Sequence, residues 1–202
     1  MKRIFWGMLL IMIDLTIMNG VFYLDLLPDF LGVLLCLWGM AQLDDVWHES
    51  RIRGFLCFYA FYTVADLLMG MYGIIFSPIT MSLMPVLSNI MTLYLAAELT
   101  SMIRHMENQT CCLYGKELHA SWSLLCISLS VTTFIFLVKD VDTLFGVFRS
   151  AQWLAAMITF FLMVSFLIST ALWLSYFFLA ARQYTHCHDQ VSTMHHRTNP
   201  VL

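Results

Sequence analysis

The sequence predicts an all-α fold of the polytopic membrane class, with about six transmembrane helices laid out as three hairpins and both termini on the cytoplasmic side. Three observations carry this reading. Hydrophobic residues make up 60% of the 202-residue chain and charged residues only 11%, against about 45–50% and about 25% in water-soluble domains. Apolar runs close to the ~20 residues needed to cross a ~30 Å hydrocarbon core recur along the whole length. The basic residues between those runs are abundant in alternate connections and sparse in the others, the asymmetry expected from the positive-inside rule.

The first run extends from Ile4 to Phe22 and the second from Leu26 to Leu43. A third spans Gly54 to Phe76, a fourth Thr80 to Leu99, a fifth Ser121 to Val138 and a sixth Ala151 to Ala181. Residues 1–181 thus form the transmembrane domain, and 182–202 follow as a polar, histidine-containing cytoplasmic tail. Met1-Lys2-Arg3 resembles the start of a signal peptide, but Asp14 interrupts the apolar run and no small-x-small cleavage pattern follows, so a retained helix is expected. Lys2, Arg3, Arg51, Arg53, Arg104, Lys116, Arg182 and Arg197 fall at the ends assigned to the cytoplasm. Only Lys139 and Arg149 fall opposite, which orients the chain with both ends inside.

Several function classes drop out. A net charge of -3 without a basic cluster interleaved with aromatics gives no footprint for nucleic acid. Cys36, Cys57 and Cys126 lie in apolar runs and Cys111, Cys112 and Cys187 in cytoplasmic segments, so free thiols are expected rather than a disulfide framework. His186, Cys187 and His188 are metal-type ligands, but a structural zinc site wants a fixed tetrahedron and a polar tail does not supply one. No metal or cofactor is therefore predicted. None of the seven histidines falls within a predicted helix, which leaves acyl transfer or proteolysis inside the bilayer without an activating base. A shared-proton pair of Asp14 and Asp66 is the one intramembrane chemistry left to an enzyme reading.

Those two aspartates form the first candidate site. A charged group at bilayer depth costs about 2.5–3.5 kcal/mol on insertion scales and needs a partner or a wet cavity. Asp14 lies ten residues into the first helix and Asp66 twelve into the third, placing them about 15 and 18 Å deep. Asn89 reaches a similar level from the other side. On the third helix Tyr59, Tyr62, Thr63 and Asp66 recur at three- and four-residue spacing, and the fourth carries Pro85, Ser88, Asn89, Thr92 and Ala96 in the same way. The two polar stripes are expected to face each other. Asp14, Asp66, Asn89, Tyr62 and Thr63 then either hold a proton, cation or small ligand, or tie the helices together as protonated and hydrogen-bonded groups.

The second candidate is the outer connection Tyr23-Leu24-Asp25-Leu26-Leu27-Pro28-Asp29-Phe30-Leu31-Gly32. Pro28 suits the opening turn of a helix, Asp25 or Asp29 can accept from its free N–H groups, and Gly32 permits close approach of another backbone. The same two aspartates could alternatively gate a cation or substrate. The stretch from Lys2 through Trp6, Gly7 and Asp14 to Leu26-Leu27-Pro28-Asp29-Phe30-Leu31-Gly32, Gly39, Gln42 and Leu43 resembles a group of small bacterial multispanning membrane proteins of unassigned function. The likeness covers about the first fifth of the chain, and Val33 stands where that group often has tyrosine. It implies a bacterial inner-membrane protein in which Pro28, Asp29 and Gly32 matter, and it supplies no reaction.

Two function classes follow. A non-catalytic partner, scaffold or regulatory subunit of a membrane complex fits the thin polar inventory and the bulky Leu, Met and Phe of the helices. A small transporter or substrate-binding subunit, with its site at Asp14, Asp66 and Asn89, is the alternative.

Overall fold

The computed structural model describes residues 1–13, 16–19, 22–25, 29–43, 50–72, 78–109, 114–139 and 152–198, with side chains at 1–13, 29–43, 51–69, 84–107, 114–134, 157–158 and 160–185. The described chain is helical, as its composition predicts. Helix α1 covers Lys2–Met12, α2 Asp29–Ala41, α3 Ser50–Tyr72, α4 Pro78–Gln109, α5 Gly115–Lys139 and α6 Gln152–Thr198. Three segments are long and apolar enough to cross a membrane among the described residues, Arg51–Met69, Met84–Glu107 and Phe160–Thr185. This is a membrane protein.

The first apolar run departs from expectation. It is not one helix from Ile4 to Phe22: α1 ends at Met12, and an antiparallel ribbon of β1 (Thr16–Asn19) and β2 (Phe22–Asp25) follows. Thr16 pairs with Asp25 and Asn19 with Phe22, so two residues join the strands, and Gly20 is one of them. Glycine at the first of two joining positions is one of the sequence signals of a two-residue hairpin, and hydropathy alone is blind to it. The ribbon packs along α3 through β2.

Four other helices outrun a predicted bound, α3 by starting at Ser50 rather than Gly54. Beyond Leu99, α4 continues because Leu95, Leu99, Met102, Ile103 and Met106 form one buried stripe at helical spacing. The polar Glu98 and Arg104 lie off that stripe. Helix α5 starts six residues before Ser121, at Gly115, whose N–H donates to Glu107 Oε2 at 3.0 Å. Tyr114 before it takes a left-handed φ of 59°, and a carboxylate on the first N–H of a helix complements its dipole. Residues 182–198 are not a separate tail in the backbone: α6 runs on to Thr198. No Gly or Pro interrupts it until Pro200, and the residue before a proline disfavours the α conformation.

Each helix touches the next in sequence, and α1 also touches α6, closing a ring. The core lies in the half of this ring that holds the N-terminus. Ile4, Met8, Val33, Cys36, Leu56, Tyr59, Leu95, Leu99, Trp173 and Phe177 meet there with no solvent exposure. In the other half, large apolar side chains point outward, among them Phe61, Ile90, Phe134, Phe160, Phe161 and Met163. Lipid is as apolar as these side chains, so exposure carries no penalty there. The short α1 and α2 reach only the densely packed half.

Candidate functional site

Two tyrosine hydroxyls of the α3 stripe bridge to α4. Tyr59, fully buried, lies 2.8 Å from Thr92 Oγ1. Thr92 spends its single hydrogen on the Ser88 carbonyl at 3.0 Å, so Tyr59 is the donor across the gap. One turn on, the Tyr62 hydroxyl donates to the Met84 carbonyl at 2.8 Å. Phe55 and Tyr94 meet edge to face at 4.6 Å. Proline at position 85, inside α4, removes one helix donor and loosens the turn beside the carbonyl that Tyr62 reaches.

The other members of the predicted site are placed as follows. Thr63 is buried and donates back to the Ala60 carbonyl at 3.1 Å, a bond within its own helix. Asn89 donates from Nδ2 to Thr133 Oγ1 of α5 at 3.2 Å. Asp66 is partly buried on α3 and is not a partnerless group. The Tyr59–Thr92 and Tyr62–Met84 pairings put Asp66 and Asn89 roughly 6–13 Å apart along the helix axes at 1.5 Å per residue. Asp14 lies outside the described residues, as does Pro28.

In the outer motif, Asp25 ends β2, opposite Thr16. Asp29 opens α2 as the acidic residue of its first turn, where it complements the helix dipole. Gly32 meets α1 directly: a Cβ built on it would lie 2.6 Å from the Gly7 carbonyl oxygen and 2.7 Å from Ile11. Gly7 and Gly39 are equally tight against α2 and α1. The tail residues His186, Cys187 and His188 lie on α6 with side chains outside the described set.

Three contacts join further helices, and single-residue reading of the sequence did not single them out as pairs. Trp173 Nε1 of α6 donates to Thr100 Oγ1 of α4 at 3.1 Å, both buried. Ser128 of α5 and Ser169 of α6 lie 3.0 Å apart. The guanidinium of Arg3 sits over the Trp38 ring, 3.6 Å from its centroid. Residue types at helical spacing hint at each, yet the partner is settled only by how the helices rotate. The longer α4 and α5 also place His105 and His119 on helices, contrary to the expectation that no histidine is helical. Both are exposed, and the His119 ring stacks on Trp122 at 5.6 Å.

The chemistry of this region is that of neutral hydrogen bonds between helices. The polar groups of Tyr59, Tyr62, Thr63, Asn89 and Thr92 are each engaged by a carbonyl or another hydroxyl of the chain. No family model matches this chain, and no curated protein and no solved structure matches it either.

Proposed function

We propose that this chain is a non-catalytic partner in a larger membrane complex, acting as a scaffold or as an assembly or regulatory subunit. The observation that carries this reading is the state of the α3–α4 stripe: Tyr59, Tyr62, Thr63, Asn89 and Thr92 spend their hydrogen bonds within the protein. A solute pathway would keep such groups turned toward the solute. Large apolar side chains on the outer surfaces of α3, α5 and α6 add a surface that neighbouring helices or lipid can cover.

The same reading has six crossings, with both termini in the cytoplasm of a bacterial inner membrane. Support comes from the basic residues gathered at one set of helix ends and from the likeness of the first fifth to small bacterial multispanning proteins. Helix α1 rises about 16 Å and a four-residue strand about 13 Å, so helix plus ribbon equals one hydrocarbon thickness of about 30 Å. Backbone at that depth must be covered by protein, and α3 lies along β2.

Two measurements test the proposal. Affinity purification in mild detergent is expected to return a defined, stoichiometric second membrane protein, and Asp66→Asn is expected to leave its yield unchanged. Reconstitution into vesicles carrying a pH- or cation-sensitive dye is expected to give no flux. A flux that Asp66→Asn abolishes while the protein stays folded replaces this reading with the transporter one. Reporter fusions at Arg51–Arg53, in the opening turn of α3, and after Leu202 are expected on the same side, and opposite sides would overturn the six-span arrangement.

A further inference from the structure

The β1–β2 ribbon leaves one row of backbone polar groups to account for. Among the described residues its sheet has two strands, and β2 is the one that lies along α3. Two residues join the strands, so the flanking pair Asn19–Phe22 is hydrogen-bonded and, two residues on, so is Ile17–Leu24. Thr16 and Met18 take the alternate positions, where the N–H and C=O of each point away from β2. No strand among the described residues lies along that outer edge.

The depth of the edge decides what it needs. In the arrangement proposed above, α1 starts at the cytoplasmic surface and rises about 16 Å, so the ribbon that follows it lies in the outer half of the hydrocarbon. Lipid tails offer neither donor nor acceptor, and an open strand edge persists at that depth only where protein covers it. Thr16 and Met18 each present one donor and one acceptor, repeating at about 7 Å along the strand. An α-helix cannot match this row, because its own N–H and C=O groups are spent within it. Another extended backbone can.

A second copy of the chain does not suit the edge. Antiparallel pairing of two β1 edges has its two-fold axis perpendicular to the sheet. With the strands running across the bilayer, that axis lies in the membrane plane and would set the second copy upside down. Strands related by a two-fold along the membrane normal run parallel and stand level, whereas parallel ladder bonds slant between staggered residues.

From this geometry we infer that β1 is the docking edge for the partner of this chain, which adds an extended segment of its own to the ribbon and bonds to the backbone of Thr16 and Met18. The inference rests on the partner reading above and adds the place and form of the contact: a strand of about four residues, matching β1, in the outer half of the bilayer and recognised by main-chain hydrogen bonds.

The experiment uses the full chain purified with its partner in mild detergent. Met18→Pro removes one outward N–H and leaves the bonds to β2 in place, as proline does at an edge position. Retention of the partner is expected to fall roughly ten-fold, within the range for one buried hydrogen bond whose acceptor is left unpaired, while the melting temperature of the chain alone stays as it is. Met18→Ala keeps the N–H and is expected to keep the partner; an equal loss in both variants puts the contact in the side chain and overturns the edge. A partner that stays on Met18→Pro overturns the inference and leaves the partner reading standing, whereas a wild-type preparation with no partner ends both. Where Met18→Pro does not fold, amide hydrogen exchange on the wild-type chain decides. The Thr16 and Met18 amides are expected to exchange roughly ten-fold more slowly in the complex than in the chain freed of its partner, and equal rates overturn the inference. A wild-type chain that purifies as a dimer, with the dimer lost in Met18→Pro, assigns the edge to a second copy and overturns the partner's strand.

Discussion

In the α1–α2 pair the two backbones touch, whereas in the α3–α4 pair the helices stand apart and tyrosine side chains cross the gap. Gly7, Gly32 and Gly39 alternate with Cys36 along the first seam, and Cys36 lies within 3.7 Å of the Ile4 carbonyl. Tyr59 and Tyr62 reach Thr92 and Met84 across the second. Helices in lipid gain nothing from expelling water, so contact must come either from close van der Waals packing of small residues or from hydrogen bonds between helices. The first device suits α1 and α2 because they have only 11 and 13 residues over which to gather contacts. The longer α3 and α4 can be held by a few directional bonds.

The comparison breaks most sharply at Gly32. Its absent Cβ would fall 2.6 Å from the Gly7 carbonyl oxygen, and that neighbour is backbone which cannot swing aside. Gly32→Leu is therefore expected to separate α1 from α2 at a cost of about 3 kcal/mol, the upper end for an overpacked site. Loss of folded protein after detergent extraction would register it, and a wild-type melting temperature would refute the close approach. Gly32→Ala is the graded version, at about 1–3 kcal/mol. Cys36 is buried on this seam while Cys57 is exposed on α3, so thiol labelling gives a local readout. Gly32→Ala should speed labelling of Cys36 and leave Cys57 as it was.

A glycine outside the seam sharpens the point. Gly54 is exposed in α3, and a Cβ there would meet nothing within 4 Å. With no neighbour to displace, Gly54→Ala is expected to stabilise the protein by about 0.5–1 kcal/mol through the backbone entropy that glycine loses in a helix. A rise in melting temperature beside the fall for Gly32→Ala would show that space, not glycine as such, decides the sign. A fall for both would mean that α3 has a close neighbour at Gly54.

Most of this architecture was legible in the sequence, because apolar composition and three- to four-residue spacing follow directly from a helix lying in lipid. Of the α3 and α4 stripes, expected to face each other, the structure links Tyr59 to Thr92 and Tyr62 to Met84, while Thr63 and Asn89 bond elsewhere. What escaped reading is instructive. Hydropathy makes Ile4–Phe22 look like one helix, since Ile17, Met18 and Phe22 are as apolar in a strand as in a helix. Between Ile17 and Phe22, only Asn19 and Gly20 interrupt the apolar stretch in the sequence. The ends of α4 and α6 are not readable from hydropathy, because Glu98 and Arg182 mark where the apolar run stops, whereas a helix continues wherever nothing breaks it and one face stays covered. The candidate site was readable as residue types and not as partners: the sequence placed Asn89 at about the depth of Asp66, and the rotation of α4 gives its amide to Thr133 of α5 instead.

A single bond is the last element of the comparison, and it is the tyrosine bridge itself. Tyr59→Phe removes the donor and Thr92→Val the acceptor, and each alone leaves a polar group buried, so neither single variant isolates the bond. The double-mutant cycle does, because the common losses cancel. Hydrogen bonds between helices in lipid average about 0.6 kcal/mol and reach about 1.7, and the 2.8 Å separation of Tyr59 from Thr92 places their coupling in that range. Thr92 also bonds the Ser88 carbonyl, so Thr92→Val alone should cost more than Tyr59→Phe alone. A coupling near zero, measured by denaturant titration in detergent micelles, would mean that the aromatic contact between Phe55 and Tyr94 rather than the hydroxyl holds α3 to α4, and would move the weight of the comparison from polarity to packing on both seams.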